Sequence, residues 1–142
     1  MTAGRRQARE RALQALYQLE LQGAAAPAEA LEQAWAASAE EGPRDDETNA
    51  FALELVKGVR EKLKEVDELI TKHSHNWKLD RMSRIDRNVL RLGVYELKFR
   101  DDIPKKATLN EAVELGKKFG GEQSSAFING LLDKLAQELK KP

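Results

Sequence analysis

Apolar residues recur three and four positions apart along nearly the whole chain, a rhythm that suits helices and little else. Gly and Pro interrupt it at a few places only: Gly23 to Pro27, Gly42–Pro43, Pro104 and Gly120–Gly121. Ala12, Leu13, Leu16 and Leu19 mark a first helix, about residues 4–21. Pro27 suits the opening turn of a second, Ala-rich helix reaching to about Ala39. Asp45, Asp46 and Thr48 are cap candidates for a long third helix with the stripe Phe51, Leu55, Val59, Leu63, Val66 and Ile70. Ser83 with Asp86, and Thr108 with Glu111, have capping-box spacing, which predicts a fourth helix over about 84–100 and a fifth over about 108–119. Gly120–Gly121 is expected to stop the fifth in a left-handed cap, and a sixth runs from about Glu122 to Leu139. No alternating strand pattern of useful length and no internal repeat is present. The expectation is an all-α fold, a compact bundle of about six to seven helices. It forms one domain over residues 1–142 in two packed subdomains, with N-terminal helices at about 4–72 and C-terminal helices at about 83–140. The division is expected near His73–Leu79.

A chain of 142 residues can bury roughly two-thirds of its unfolded surface and needs no covalent staple. Cysteine is absent, which excludes disulfides, thiolate metal sites and cysteine nucleophiles together. The basic start runs into an amphipathic pattern broken by Glu10, Gln14, Gln18 and Glu20, where a secretory signal would be unbroken and apolar. No run approaches the ~18 apolar residues of a spanning helix, so a cytoplasmic protein without membrane contact is expected.

The 24 basic and 24 acidic residues cancel but are unevenly placed. Residues 1–22 carry four Arg against two Glu, and residues 24–54 carry Arg44 against eight acids. Residues 57–100 return to twelve basic against seven acidic. A neutral chain has no far field to steer a polyanion, so any nucleic-acid site must be local.

The first helix opens with charge of the wrong sign. A helix N-terminus carries partial positive charge and favours Asp or Glu, yet Arg5, Arg6 and Arg9 stand there. Guanidinium forks beside exposed backbone N–H groups make an anion site; a solvated end whose Arg stems cover the core rim is the alternative. On the fourth helix Arg84, Arg87, Arg91 and Lys98 share one side with Tyr95. That stripe suits RNA, an acidic protein face, or pairing with acids on neighbouring helices. The turn from Lys117 to Ser125 sets two lysines beside a fresh helix start with two hydroxyls, and Phe119 could stack on a base. The same residues also read as a helix stop, a core ring and caps.

Signals for an enzyme are weak. His73-Ser74-His75 holds the only histidine pair, and a metal there would need distant carboxylates. A helix-terminal pair beside Trp77 is the plainer role. Neither GxxxxGK[ST] nor GxSxG occurs. Asp45–Asp46 and Asp101–Asp102 lie in polar loops, where nothing apolar would raise a carboxyl pKa. No catalytic residue, metal or cofactor is expected.

The run Arg5-Arg6-Gln7-Ala8-Arg9-Glu10-Arg11-Ala12-Leu13-Gln14-Ala15-Leu16-Tyr17-Gln18 resembles the start of the bacterial transcription antitermination factor NusB family. So does the run from Met82 through Arg84-Ile85-Asp86-Arg87 to Leu97. Ile103-Pro104, then Leu109 to Phe119, then Ser124 and Phe127 to Asp133 continue the likeness in order, while residues 24–46 match least. The resemblance implies a helical bundle that binds box A-type single-stranded RNA together with a small-subunit ribosomal protein acting as NusE. The pair would join the RNA polymerase antitermination complex and promote read-through, notably in ribosomal RNA operons. It implies RNA contacts by Arg5, Arg6 and Arg9 with Tyr17, and by Lys118, Gln123 and Ser124 in the turn before the last helix. Gln123 departs from the acidic residue of some members. Asp86, with Arg87 and Arg91 beside it, falls on the implied partner-protein face. Homodimers occur in the family alongside monomers, so a homodimer stays open. A similar helical domain precedes the catalytic part of some ribosomal RNA cytosine methyltransferases. Such a chain would continue into an α/β domain, whereas this one stops at Pro142, and the stand-alone factor is the expectation. A purely structural homodimeric protein is the other alternative.

Overall fold

Helix α1, Thr2–Gln22, turns Ala8, Ala12, Leu13, Ala15, Leu16 and Leu19 into the core of the first half of the chain. The computed structural model describes residues 2–22, 26–38, 45–74 and 78–142. Helix α2, Pro27–Ala37, starts on its proline, whose missing N–H costs nothing at a first helical position. It buries Ala30, Leu31, Ala34 and Trp35. Helix α3, Asp46–Glu61, is capped by Asp45, whose Oδ1 accepts the Thr48 backbone N–H at 2.8 Å. That bond holds the Asp45 carboxyl below its ordinary pKa, because it favours the charged form. Phe51, Ala52, Leu55, Val56 and Val59 face inward, and the three helices pack pairwise. Each fully buried leucine of this core contributes about 1.5–3 kcal/mol.

The second half comprises α4 (Leu63–His73), a single 3-10 turn at Leu79–Arg81, α5 (Arg84–Phe99), α6 (Lys105–Phe119) and α7 (Ser124–Glu138). Helix α5 is central: every residue from Arg87 to Leu97 is buried, and the helix packs on α4, α6 and α7. Gly93 permits that closeness, since a Cβ there would stand 2.7 Å from Leu132 Cδ1. The Ser83 hydroxyl accepts the Asp86 N–H at 3.1 Å, as the capping spacing predicted. Seven α-helices and no strand occur among the described residues, so the fold is all-α.

The structure departs from the periodicity in three places. The long third helix is two, α3 and α4, separated at Lys62. A one-residue turn preserves the three-and-four rhythm, so the stripe crosses it unchanged and hides it. The chain divides into two compact units there, Met1–Glu61 and Lys62–Pro142, earlier than His73–Leu79, and α4 belongs with the second. Helix α6 starts at Lys105 after Pro104, three residues before Thr108, so Thr108 is no cap. Its hydroxyl instead donates to Glu96 Oε1 at 2.8 Å inside the second unit, where both residues are buried. Gly120 is extended (φ −96, ψ −171) rather than left-handed. Glycine is required there for space: a Cβ would run into the Ser124 side chain and stand 2.8 Å from the Gly116 carbonyl.

Candidate nucleic-acid interface

The first unit carries one candidate surface, at the start of α1. Its opening turn holds no acid, the residue type that the helix dipole favours there. Arg6 is exposed, Arg5 is half-buried, and Arg9 is buried at 5% exposure. The Arg5 and Arg9 guanidinium carbons lie 4.7 and 5.4 Å from the centroid of the same ring, Phe51 of α3. Arg11 is buried to 2% and is a different kind of residue. It pairs with Glu10 at 3.1 Å, donates to Gln14 Oε1 at 2.7 Å, and stands 5.9 Å from the Trp35 ring centre. Tyr17 is half-buried, three turns along α1. Sequence reasoning grouped Arg9 with the outer Arg5 and Arg6, although the spacing held a warning. Arg11 stands three residues from Ala8 and four from Ala15, and Arg9 stands three and four from Ala12 and Leu13, all of which are core.

The second unit carries two candidate surfaces. At the α6–α7 turn Lys117, Lys118, Gly121, Glu122 and Gln123 are exposed. Lys118 Nζ is 5.5 Å from the Phe119 ring centre, and Lys117 pairs with Glu114 at 3.5 Å. Ser124 is placed otherwise: it is 4% exposed, and its Oγ accepts the Gly121 N–H at 2.9 Å. Its hydroxyl shapes the turn from inside. At the start of α5 Asp86 is half-buried, and its Oδ1 is shielded from solvent without a hydrogen-bond partner.

Arg87 and Arg91 use their donors internally. Arg87 Nη1 donates to the carbonyls of Leu79 and Met82 at 2.9 and 3.0 Å. Arg91 clasps Asp67 of α4 through two bonds of 2.8 and 2.9 Å and reaches Asn88 at 3.2 Å. Lys98 pairs with Glu65 of α4 at 3.4 Å. Of the alternatives for this stripe, pairing with a neighbouring helix is what the structure shows for Arg91 and Lys98. His73 closes α4 and is 2.6 Å from Glu138 of α7, which Lys72 also approaches at 3.2 Å. These bonds, His73 first, lower the Glu138 pKa. His75 and Trp77 lie outside the described residues. No group of three His, Asp or Glu fit to hold a metal occurs among the described residues, and no helix there is long and apolar enough to cross a membrane.

The arrangement defines a class: a small protein of zero net charge, all-helical among its described residues, whose first helix gathers arginines near its own positive end with no acid in the first turn. The NusB family profile matches residues 6–137. A transcription antitermination protein NusB from Myxococcus xanthus is 64% identical over 97% of this chain and 98% of its own length. One from Bacillus cereus is 44% identical over 95% and 98%. Among solved structures, NusB of T. maritima superposes with a TM-score of 0.84 at 37% identity, covering 94% of this chain and 91% of that one. A chain from a crystal structure of antitermination factors NusB and NusE in complex with double-stranded RNA gives 0.84 at 29% identity, covering 97% and 99%. The chain belongs to the NusB family.

Proposed function

We propose that this chain is a transcription antitermination factor that binds box A-type single-stranded RNA together with a small-subunit ribosomal protein in the NusE role. In that role it joins the RNA polymerase antitermination complex and promotes read-through, notably in ribosomal RNA operons. The observation that carries the reading is the start of α1, where Arg5, Arg6 and Arg9 gather at a helix end whose first turn contains no Asp or Glu. Stability alone would have placed acids there. The likeness to a protein solved with NusE and double-stranded RNA supports its RNA and NusE parts.

In this reading Arg5 and Arg6 meet phosphate oxygens, Arg9 adds its charge from beneath, and Tyr17 flanks them. Lys118 and Gln123 extend the surface at the α6–α7 turn, with Ser124 fixing the turn's shape. Asp86 is the contact for the ribosomal partner: the residue is only half-buried at the start of α5, and its carboxylate is a group that a partner's N–H would meet in a charge-assisted hydrogen bond. Arg87 and Arg91 brace that face through their internal bonds. None of these roles involves a catalytic residue or cofactor.

Titrating a box A-type RNA oligonucleotide at two salt concentrations, with and without the ribosomal partner, tests the proposal. Binding should be weak alone, tighter with the partner, and salt-dependent by about −0.7 in log–log slope per phosphate contact. Absence of binding in both arms would sink it in favour of a purely structural role.

A further inference from the structure

Phe51 lies on α3, outside the helix that carries the arginines, and the function above leaves it unused. It is 7% exposed, and its ring is approached by Arg5 at 4.7 Å and by Arg9 at 5.4 Å. We infer that Phe51 is a positioning residue of the first-helix RNA site, its ring holding the Arg5 guanidinium in place for phosphate with the Arg9 charge beside it.

Three physical points carry this. An aromatic face is electronegative and attracts a cation, which offsets the unfavourable placement of positive charge at a helix N-terminus. A ring face attracts the cation without accepting any of its N–H groups, so this contact does not itself compete with an anion. An arginine also loses considerable rotamer freedom when it is fixed on a ligand, and a side chain already held by a ring loses less. Arg9, buried beside the ring, acts through this assembly rather than by reaching out. Arg5, half-buried above it, presents the phosphate-facing edge. The inference rests on the RNA-binding reading and adds that α3 takes part in the site.

The test uses the full chain and four variants: Phe51→Leu, Phe51→Tyr, the Arg5→Ala/Arg9→Ala double, and that double combined with Phe51→Leu. Leucine keeps an apolar core residue and removes the ring; tyrosine keeps the ring. Phe51→Leu should weaken binding of a box A-type RNA oligonucleotide by about three- to tenfold, and Phe51→Tyr should restore it. In the double-alanine background Phe51→Leu should add nothing further. Nitrogen-15 relaxation of the arginine Nε–H groups, recorded without RNA, should show Arg5 and Arg9 more mobile in Phe51→Leu than in Phe51→Tyr. Equal weakening in both backgrounds means a general packing defect and overturns the inference. So do unchanged arginine mobility and RNA binding that survives the loss of the ring. A wild-type chain that binds no RNA overturns the functional reading itself, and the inference with it.

Discussion

Two groups of arginine, one on α1 and one on α5, look alike as sequence and differ in structure by an aromatic ring. On α5 the guanidinium groups of Arg87 and Arg91 meet carbonyl and carboxylate oxygens in hydrogen bonds of 2.8–3.0 Å. On α1 Arg5 and Arg9 lie over an aromatic ring. Oxygen acceptors bind a guanidinium through the donors it would offer a ligand; a ring holds it through charge and contact area alone. The first kind of contact competes with a ligand for the donors, and the second does not. A count of basic residues cannot tell them apart, because the difference lies in the partner.

The comparison breaks first if Asp67 is dispensable. Arg91 is 9% exposed, and removing its carboxylate partner strands a buried charge. Asp67→Ala should therefore cost about 2–3 kcal/mol in urea unfolding, discounted from the fully buried case because Asp67 is partly exposed. Its affinity for RNA should match the wild type. A variant of unchanged stability with weakened RNA binding would reverse the roles assigned to the two groups.

Within α1 itself Arg9 and Arg6 should separate. Arg9→Ala removes a packed stem and a ring contact and should cost about 1–2 kcal/mol of stability. The exposed Arg6→Ala should stay within about 0.5 kcal/mol of wild type, as surface substitutions usually do. In RNA binding the order should invert: Arg6→Ala lowers the salt slope by about 0.7, the share of one phosphate contact. Salt-titrated binding beside urea melts of both variants checks this.

That separation marks the limit of what the sequence made legible. Helix content, the α5 cap at Ser83 and most core positions followed from spacing, because apolar periodicity and short-range capping are local properties. The α3–α4 break was hidden, since Leu63, Val66 and Ile70 continue the stripe of Phe51, Leu55 and Val59 across Lys62. Pairings between distant residues were hidden too. Nothing near Arg91 in sequence points to Asp67, 24 residues away, and nothing near Thr108 selects Glu96 over the Glu111 its capping pattern suggested. The α1 candidate surface stood out by its misplaced charge, whereas the Phe51 ring near it belongs to another helix and read simply as core.

The smallest effect contrasts the units by the origin of their two perturbed carboxylates. Asp45 in the first unit and Glu138 in the second both titrate below their ordinary values of 3.8 and 4.5. A carboxylate with a lowered folded-state pKa contributes stability that is fully present above its unfolded value and lost as pH falls through the folded one. Both contributions therefore fade in acid, below about pH 4.5 for Glu138 and lower for Asp45. Their causes differ: Asp45 is held chiefly by a backbone N–H, Glu138 chiefly by the His73 side chain. Thr48→Ala keeps the backbone donor, so Asp45 should still titrate low. His73→Ala removes the main partner, so Glu138 should move up toward 4.5, with Lys72 retaining part of the shift. Carbon-13 carboxyl titrations of the two variants decide it. A Glu138 that ignores the loss of His73 would mean that the 2.6 Å contact between α4 and α7 is not held in solution.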